Sequence, residues 1–178
     1  GTLNVPAIVG FARALELCLE EMSNENPRLQ SLRDRLFEGV RSAVPGVSLN
    51  GPALALPGLR LPGNLNVRFA GIDGEALLLS VGDVALSAGS ACSSADPGPS
   101  HVLRALGLST EEARSSVRFG LGRFNTSDEV ETVIQSLARA VTRLRNLLAP
   151  PKKPSQGEIS PGARVQMAQQ SPGPKPDS

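Results

Sequence analysis

Apolar side chains recur along this chain at two periods. Ile8, Phe11, Ala12, Leu15, Cys18, Leu19 and Met22 follow the three-four spacing of one helix face. They predict a helix entered through an extended residue 1–6 segment, with Pro6 in its first turn, and they place Cys18 on the buried stripe. Ser23-Asn24-Glu25-Asn26-Pro27 is expected to break that helix. A second amphipathic helix follows, with Leu29, Leu32, Leu36 and Val40 on one face. Arg28, Arg33, Arg35 and Arg41 interleave with Asp34 and Glu38, the pattern of a solvated, salt-bridged face. Pro45-Gly46 stops it.

The period then changes from helical to alternating. Residues 47–49 form a short strand candidate, and residues 50–63, rich in Pro, Gly and Leu, read as an irregular connection. Leu65, Val67 and Phe69 alternate with Asn64, Asn66 and Arg68, which predicts a half-buried strand. Gly71-Ile72-Asp73-Gly74 is a turn, residues 75–81 a short apolar helix, and residues 84–87 a further strand candidate. Residues 100–106 read as a helix stopped by Gly107. Ser109-Thr110-Glu111-Glu112 and Thr126-Ser127-Asp128-Glu129 carry the capping-box pattern for a short and a long helix. Between them, residues 117–124 form a strand candidate holding Gly120 and Gly122, glycines that suit a close approach by a ligand. The long helix carries Val130, Val133, Ile134, Leu137, Val141, Leu144 and Leu148 on one side. Arg139, Arg143 and Arg145 lie toward its C-terminal end, where cations suit the dipole. From Pro150 onward the chain holds seven of its fifteen prolines and almost no large apolar side chains, so residues 150–178 are expected to be a disordered tail.

Composition narrows the function. At 178 residues the chain is one domain's worth, and 40% hydrophobic residues with 3% aromatic imply a core of Leu, Val and Ala. A net charge of +1 gives no argument for nucleic acid or an anionic membrane, and no apolar run is long enough to span a bilayer. One His and two Cys offer no zinc spacing. Cys18 and Cys92 lie in unlike contexts, so a disulfide is not expected and a reducing, cytoplasmic compartment is the default.

The candidate chemistry centres on Ser87-Ala88-Gly89-Ser90-Ala91-Cys92-Ser93-Ser94, followed by Asp96-Pro97-Gly98-Pro99. A thiol among small residues has two readings. It is a nucleophile presented on an accessible loop, or a small residue packed under a turn. His101 is either an exposed helix-start residue or a general base, and Arg118, alone, either an ion-paired surface residue or a carboxylate ligand. Arg123 lies on the alternate strand side and reads as structural, Arg104 as a helix-surface ion pair, and Asn66 as a strand residue.

Residues 87–108, SAGSACSSADPGPSHVLRALGL, resemble the active-cysteine segment of the NifS/IscS-type cysteine desulfurases. Ser116-Val117-Arg118-Phe119-Gly120-Leu121-Gly122-Arg123-Phe124 resembles that family's arginine-bearing strand, and Gly1-Thr2-Leu3 its GT segment. The resemblance runs from residue 1 to about residue 148, with Pro62-Gly63 standing where the family usually has Pro-Asn. It implies the small C-terminal domain, residues 1–149, of a pyridoxal-phosphate (PLP) enzyme of the class-V aminotransferase type. Its fold would be α/β (an α+β small domain), a small mostly antiparallel sheet covered by helices. It implies that Cys92 attacks the sulfur of L-cysteine, leaving L-alanine and a Cys92 persulfide for a sulfur-acceptor or scaffold protein. Arg118 would hold the substrate carboxylate, and Thr2 the cofactor phosphate of a homodimer partner. The family's Schiff-base lysine and stacking histidine lie upstream of its GT segment. Residues 1–149 contain no lysine, so this chain is expected to be the C-terminal part of such an enzyme, or a gene product of this part alone. A selenocysteine lyase, a persulfide carrier without PLP and a structural dimerisation domain remain open readings.

Overall fold

The computed structural model describes residues 1–88 and 100–148; Cys92 and the tail from Pro150 lie outside the described residues. Helix α1 spans Val5–Ala43. Asn4 caps it, its side chain accepting from the Ala7 N–H at 3.2 Å, and Pro6 stands in the first turn, where a missing N–H costs nothing. The helix runs through Pro27 without ending, contrary to the break expected at residues 23–27. Proline removes one ladder hydrogen bond, but contacts hold the helix on both sides of it. Arg28 donates to the carbonyls of Asn125 (2.7 Å), Arg123 (3.0 Å) and Gly122 (3.2 Å), and Arg123 pairs with Glu21.

The two halves of α1 differ. Leu32, Leu36 and Val40 are buried, as the helical period predicts. Arg33 is buried as well, correcting the solvated face expected of it. It stands on the same stripe as Leu36 and Val40, and Asp34 neutralises it at 2.8 Å. In the first half the stripe exists but no described residue covers it: Ile8, Phe11, Leu15, Leu19 and Met22 are all exposed. Cys18 is exposed too, which overturns its assignment to the core.

Strand β1 (Val47–Leu49) follows the turn at Gly46, and β2 (Asn64–Phe69) follows the irregular connection. Helix α2 (Gly74–Ser80) starts at Asp73, whose carboxylate accepts from the N–H groups of Glu75 and Ala76. Short helices α3 (His101–Ala105) and α4 (Thr110–Arg114) precede β3 (Ser116–Gly120), and α5 (Ser127–Leu148) ends the described chain. Both expected capping boxes form. Ser109 and Glu112 bond reciprocally at the start of α4, and Thr126 and Glu129 at the start of α5. Residues 84–87 do not make a strand; only Ser87 pairs, by a single bridge to Arg118. The third strand stops at Gly120, four residues short of the expected 117–124 span. Glycine and the turn closed by Gly122 and Asn125 end it.

The sheet is antiparallel in the order β1-β2-β3, with Val67 opposite Val117 and Asn66 opposite Arg118. Because side chains alternate along a strand, one face carries Leu65, Val67, Phe69, Val117 and Phe119, all buried. That face packs under α1 and α5, whose Leu36, Val40, Ile134, Leu137 and Val141 complete one core. The other face carries Asn64, Asn66, Arg68, Ser116 and Arg118. The architecture is the small antiparallel sheet covered by helices that the family resemblance implies.

Candidate functional site

The polar face of the sheet is where chemistry is concentrated. Arg68 on this face is already neutralised: it pairs with Glu112 and donates to Ser48 Oγ at 3.1 Å. Arg118, two positions along β3 from Ser116, has no carboxylate partner among the described residues and is exposed. Its backbone is held on both sides, by the register with Asn66 and by reciprocal bonds with Ser87 at 2.7 and 3.2 Å. The strand therefore fixes where its guanidinium originates, while the charge stays available.

Arg118 borders a cleft of about 420 Å³ between the polar sheet face, the residue 50–63 connection and α3. Asn66, Arg60 and His101 share its lining, and none of the described residues that line it is an aspartate or glutamate. Arg60 reaches in from the connection. One of its terminal nitrogens donates to the carbonyls of Asn50 (2.7 Å) and Pro52 (2.8 Å), while its buried Nε has no partner among the described residues. Burial, with the charge of Arg33 added, pushes the Arg60 pKa down from the ordinary arginine value. A guanidinium still stays protonated at any physiological pH. Two cations with no acidic partner among the described lining residues make a receptor for an anion, and a forked donor suits a carboxylate.

The chain leaves this cleft at Ala88 and re-enters it at Ser100, both of which line it. These residues flank the segment that carries Cys92. Of the site residues expected from the sequence, Arg118 lies on the cleft, Cys92 lies outside the described residues, and Thr2 is not brought to it. Thr2 stands before the first residue of α1, at the far end of a 39-residue helix. Arg123 pairs with Glu21, in line with its structural reading. His101, open between two readings in the sequence, stands exposed at the cleft's edge. Asn50 and Arg60 were missed. They fall in the Pro- and Gly-rich connection, where no period exists to single them out. Asn66 could be placed on the polar face by alternation, but its position opposite Arg118 depends on strand register.

No described helix is long and apolar enough to cross a membrane. Among the described residues no group of His, Cys, Asp and Glu could hold a metal ion.

Comparison with known proteins shows what the chain is similar to. Cysteine desulfurase IscS of an Anaeromyxobacter species is 50% identical over 147 residues, which are 83% of this chain and 35% of that protein. The protein of the same name from Pasteurella multocida is 46% identical over the same length and the same shares. Among solved structures, a NifS-like protein from Rickettsia africae matches with a TM-score of 0.66 at 26% identity, covering 80% of this chain and 36% of that one. Another NifS-like protein matches with a TM-score of 0.65 at 30% identity, covering 80% and 35%. The chain thus spans about a third of the length of the curated relatives it matches. Residues 1–133 match the family model for class-V aminotransferases, and the chain belongs to that family.

Proposed function

We propose that this chain is the C-terminal part of a cysteine desulfurase, a PLP-dependent enzyme that takes sulfur from L-cysteine. The observation that carries the reading is the cleft. Arg118, with no carboxylate partner among the described residues, faces it on the polar side of the sheet, and Ala88 and Ser100, which flank the Cys92 segment, line it. Identity near half to proteins called cysteine desulfurase supports the same reading. In this proposal Arg118 binds the substrate carboxylate and orients the molecule, and Cys92 is the thiol that accepts sulfur as a persulfide. Thr2, far from this cleft, would serve the cofactor phosphate in the other subunit of a homodimer. Sulfur would pass to an acceptor or scaffold protein in iron–sulfur assembly, in the cytoplasm.

The described residues do not by themselves fit PLP. They include no lysine for a Schiff base, and none of those lining the cleft is acidic and able to pair with the ring nitrogen. The cofactor would be held by polypeptide beyond these residues, and this chain would contribute the carboxylate-binding wall. The same lack of lysine favours one second reading, a persulfide carrier that works without PLP.

Sulfide release from L-cysteine tests the reading, using protein from the full reading frame supplied with PLP. Wild type is expected to release sulfide and to carry persulfide. Cys92→Ala is expected to do neither, and Arg118→Ala to raise KM by about a hundredfold or more. Absence of PLP binding and of sulfide in wild type would overturn it in favour of the carrier.

A further inference from the structure

The polar sheet face carries a chain of hydrogen bonds whose direction is fixed at one end. The main-chain carbonyl of Glu112 can only accept, so Ser116 Oγ must donate its one proton to it, at 2.7 Å. The Ser116 oxygen then serves as an acceptor and takes a bond from Asn50 Nδ2 at 2.8 Å. The same nitrogen gives its other hydrogen to Asn66 Oδ1 at 2.7 Å. Turning the Asn50 amide over would set its Oδ1 against the Ser116 oxygen, whose proton is already given to Glu112, and leave two acceptors facing each other at a residue that is 5% exposed.

With Oδ1 turned to Asn50, Asn66 turns Nδ2, a double donor, the other way. No described residue accepts from it. Asn66 stands in register with Arg118 on the same face of the sheet, and both line the cleft, where no described residue is acidic. Directly opposed residues on one sheet face have Cβ atoms about 4.5–5.5 Å apart, within reach of a single small anion. A carboxylate has about four acceptor directions, more than one guanidinium fork fills.

We propose that Asn66 is a second binding residue for the substrate carboxylate beside Arg118, and that Asn50 is the positioning residue that turns the Asn66 amide donor-first into the cleft. The inference rests on the proposed function, in which Arg118 is the carboxylate's main partner. It adds a neutral donor whose orientation is set through Ser116 and Glu112.

Ligand binding to the PLP-loaded protein from the full reading frame tests this without turnover. Calorimetry compares L-alanine, which has the carboxylate and no reactive sulfur, with ethylamine, which is the same molecule without its carboxylate. Asn66→Ala is expected to weaken L-alanine about tenfold to a hundredfold, the range for a hydrogen bond to a charged group, and to leave ethylamine within about twofold. Asn66→Asp, an acceptor with a like charge, is expected to weaken L-alanine further. Asn50→Ala is expected to give a smaller loss, about threefold to tenfold, with the same selectivity. Thermal melts of each variant separate this from loss of fold, which lowers both ligands together. An equal effect of Asn66→Ala on both ligands, or none on either, overturns the inference. Arg118→Ala tells the two levels apart. If it abolishes the preference for L-alanine while Asn66→Ala does not reduce it, the Asn66 role fails and the proposed function stands. If Arg118→Ala leaves the preference intact, or wild type binds neither ligand, the proposed function fails and this inference with it.

Discussion

Gly63 offers a sharp test of how the connection before β2 is built. A Cβ added there would lie 2.1 Å from the Leu121 carbonyl oxygen and 3.0 Å from its carbon. A carbon–oxygen contact needs about 3.3 Å, so the main chain would have to give by more than 1 Å. The same carbonyl belongs to the residue whose N–H donates to Gly63 O at 2.8 Å, so the spreading breaks a cross-chain bond. Losing that bond costs about 1–3 kcal/mol, and the overpacking about 1–3 kcal/mol. A stiffer unfolded chain returns about 0.4–1 kcal/mol. Gly63→Ala is therefore expected to destabilise by about 2–4 kcal/mol. Gly120→Ala is the control, because nothing lies within 4 Å of its added carbon and its φ is not positive. Its expected effect is within about 0.5 kcal/mol of zero or slightly stabilising. Urea unfolding followed by far-ultraviolet circular dichroism reads both, since the chain has no Trp or Tyr to report by fluorescence. Equal midpoints for the two variants would refute the steric account of Gly63, and with it the reason for a glycine at this place.

Three further outcomes follow from the same structure. Pro27→Ala restores a missing N–H inside α1 without disturbing Arg28 or Arg123, and is expected to stabilise by about 1–3 kcal/mol in the same unfolding assay. Leu137→Ala empties a site that is 0% exposed between α5 and the sheet, and is expected to cost about 2–5 kcal/mol. Glu129 has its carboxyl pKa held below the ordinary value, first by the Thr126 N–H and then by the Asn125 amide. A depressed folded pKa means that the cap's stabilisation is complete above the unfolded value and is lost as pH falls through the lower, folded one. The acid side of a stability–pH profile should therefore steepen in wild type relative to Glu129→Gln, and coincident profiles would count against the cap.

The fold was legible wherever burial follows a local period. Leu32, Leu36 and Val40 on α1, the alternation of Leu65, Val67 and Phe69, and both capping boxes were readable because each is decided within a few residues. What failed was decided at long range. Pro27 reads locally as a stop, yet the loop carbonyls of residues 122–125 lie about a hundred positions away and hold Arg28 beside it. Cys18 reads locally as core, yet no described residue covers its face of the helix. A period shows that a stripe is apolar, not what lies against it. The site divides along the same line. Arg118 was found through the resemblance of its strand, and the polar face of β2 through alternation, both local signals. The Asn50–Asn66–Ser116 chain spans three segments, and its direction is set by a backbone carbonyl that no residue identity encodes. An asparagine in a Pro- and Gly-rich connection looks like a turn residue until the register of β2 with β3 brings it beside an arginine. Register is set by the hydrophobic face, since a one-residue slip would carry Val67 and Val117 out of the core and Arg118 into it. The packing of one face thus determines which donors meet on the other, and the placement of Asn66 beside Arg118 follows from the core.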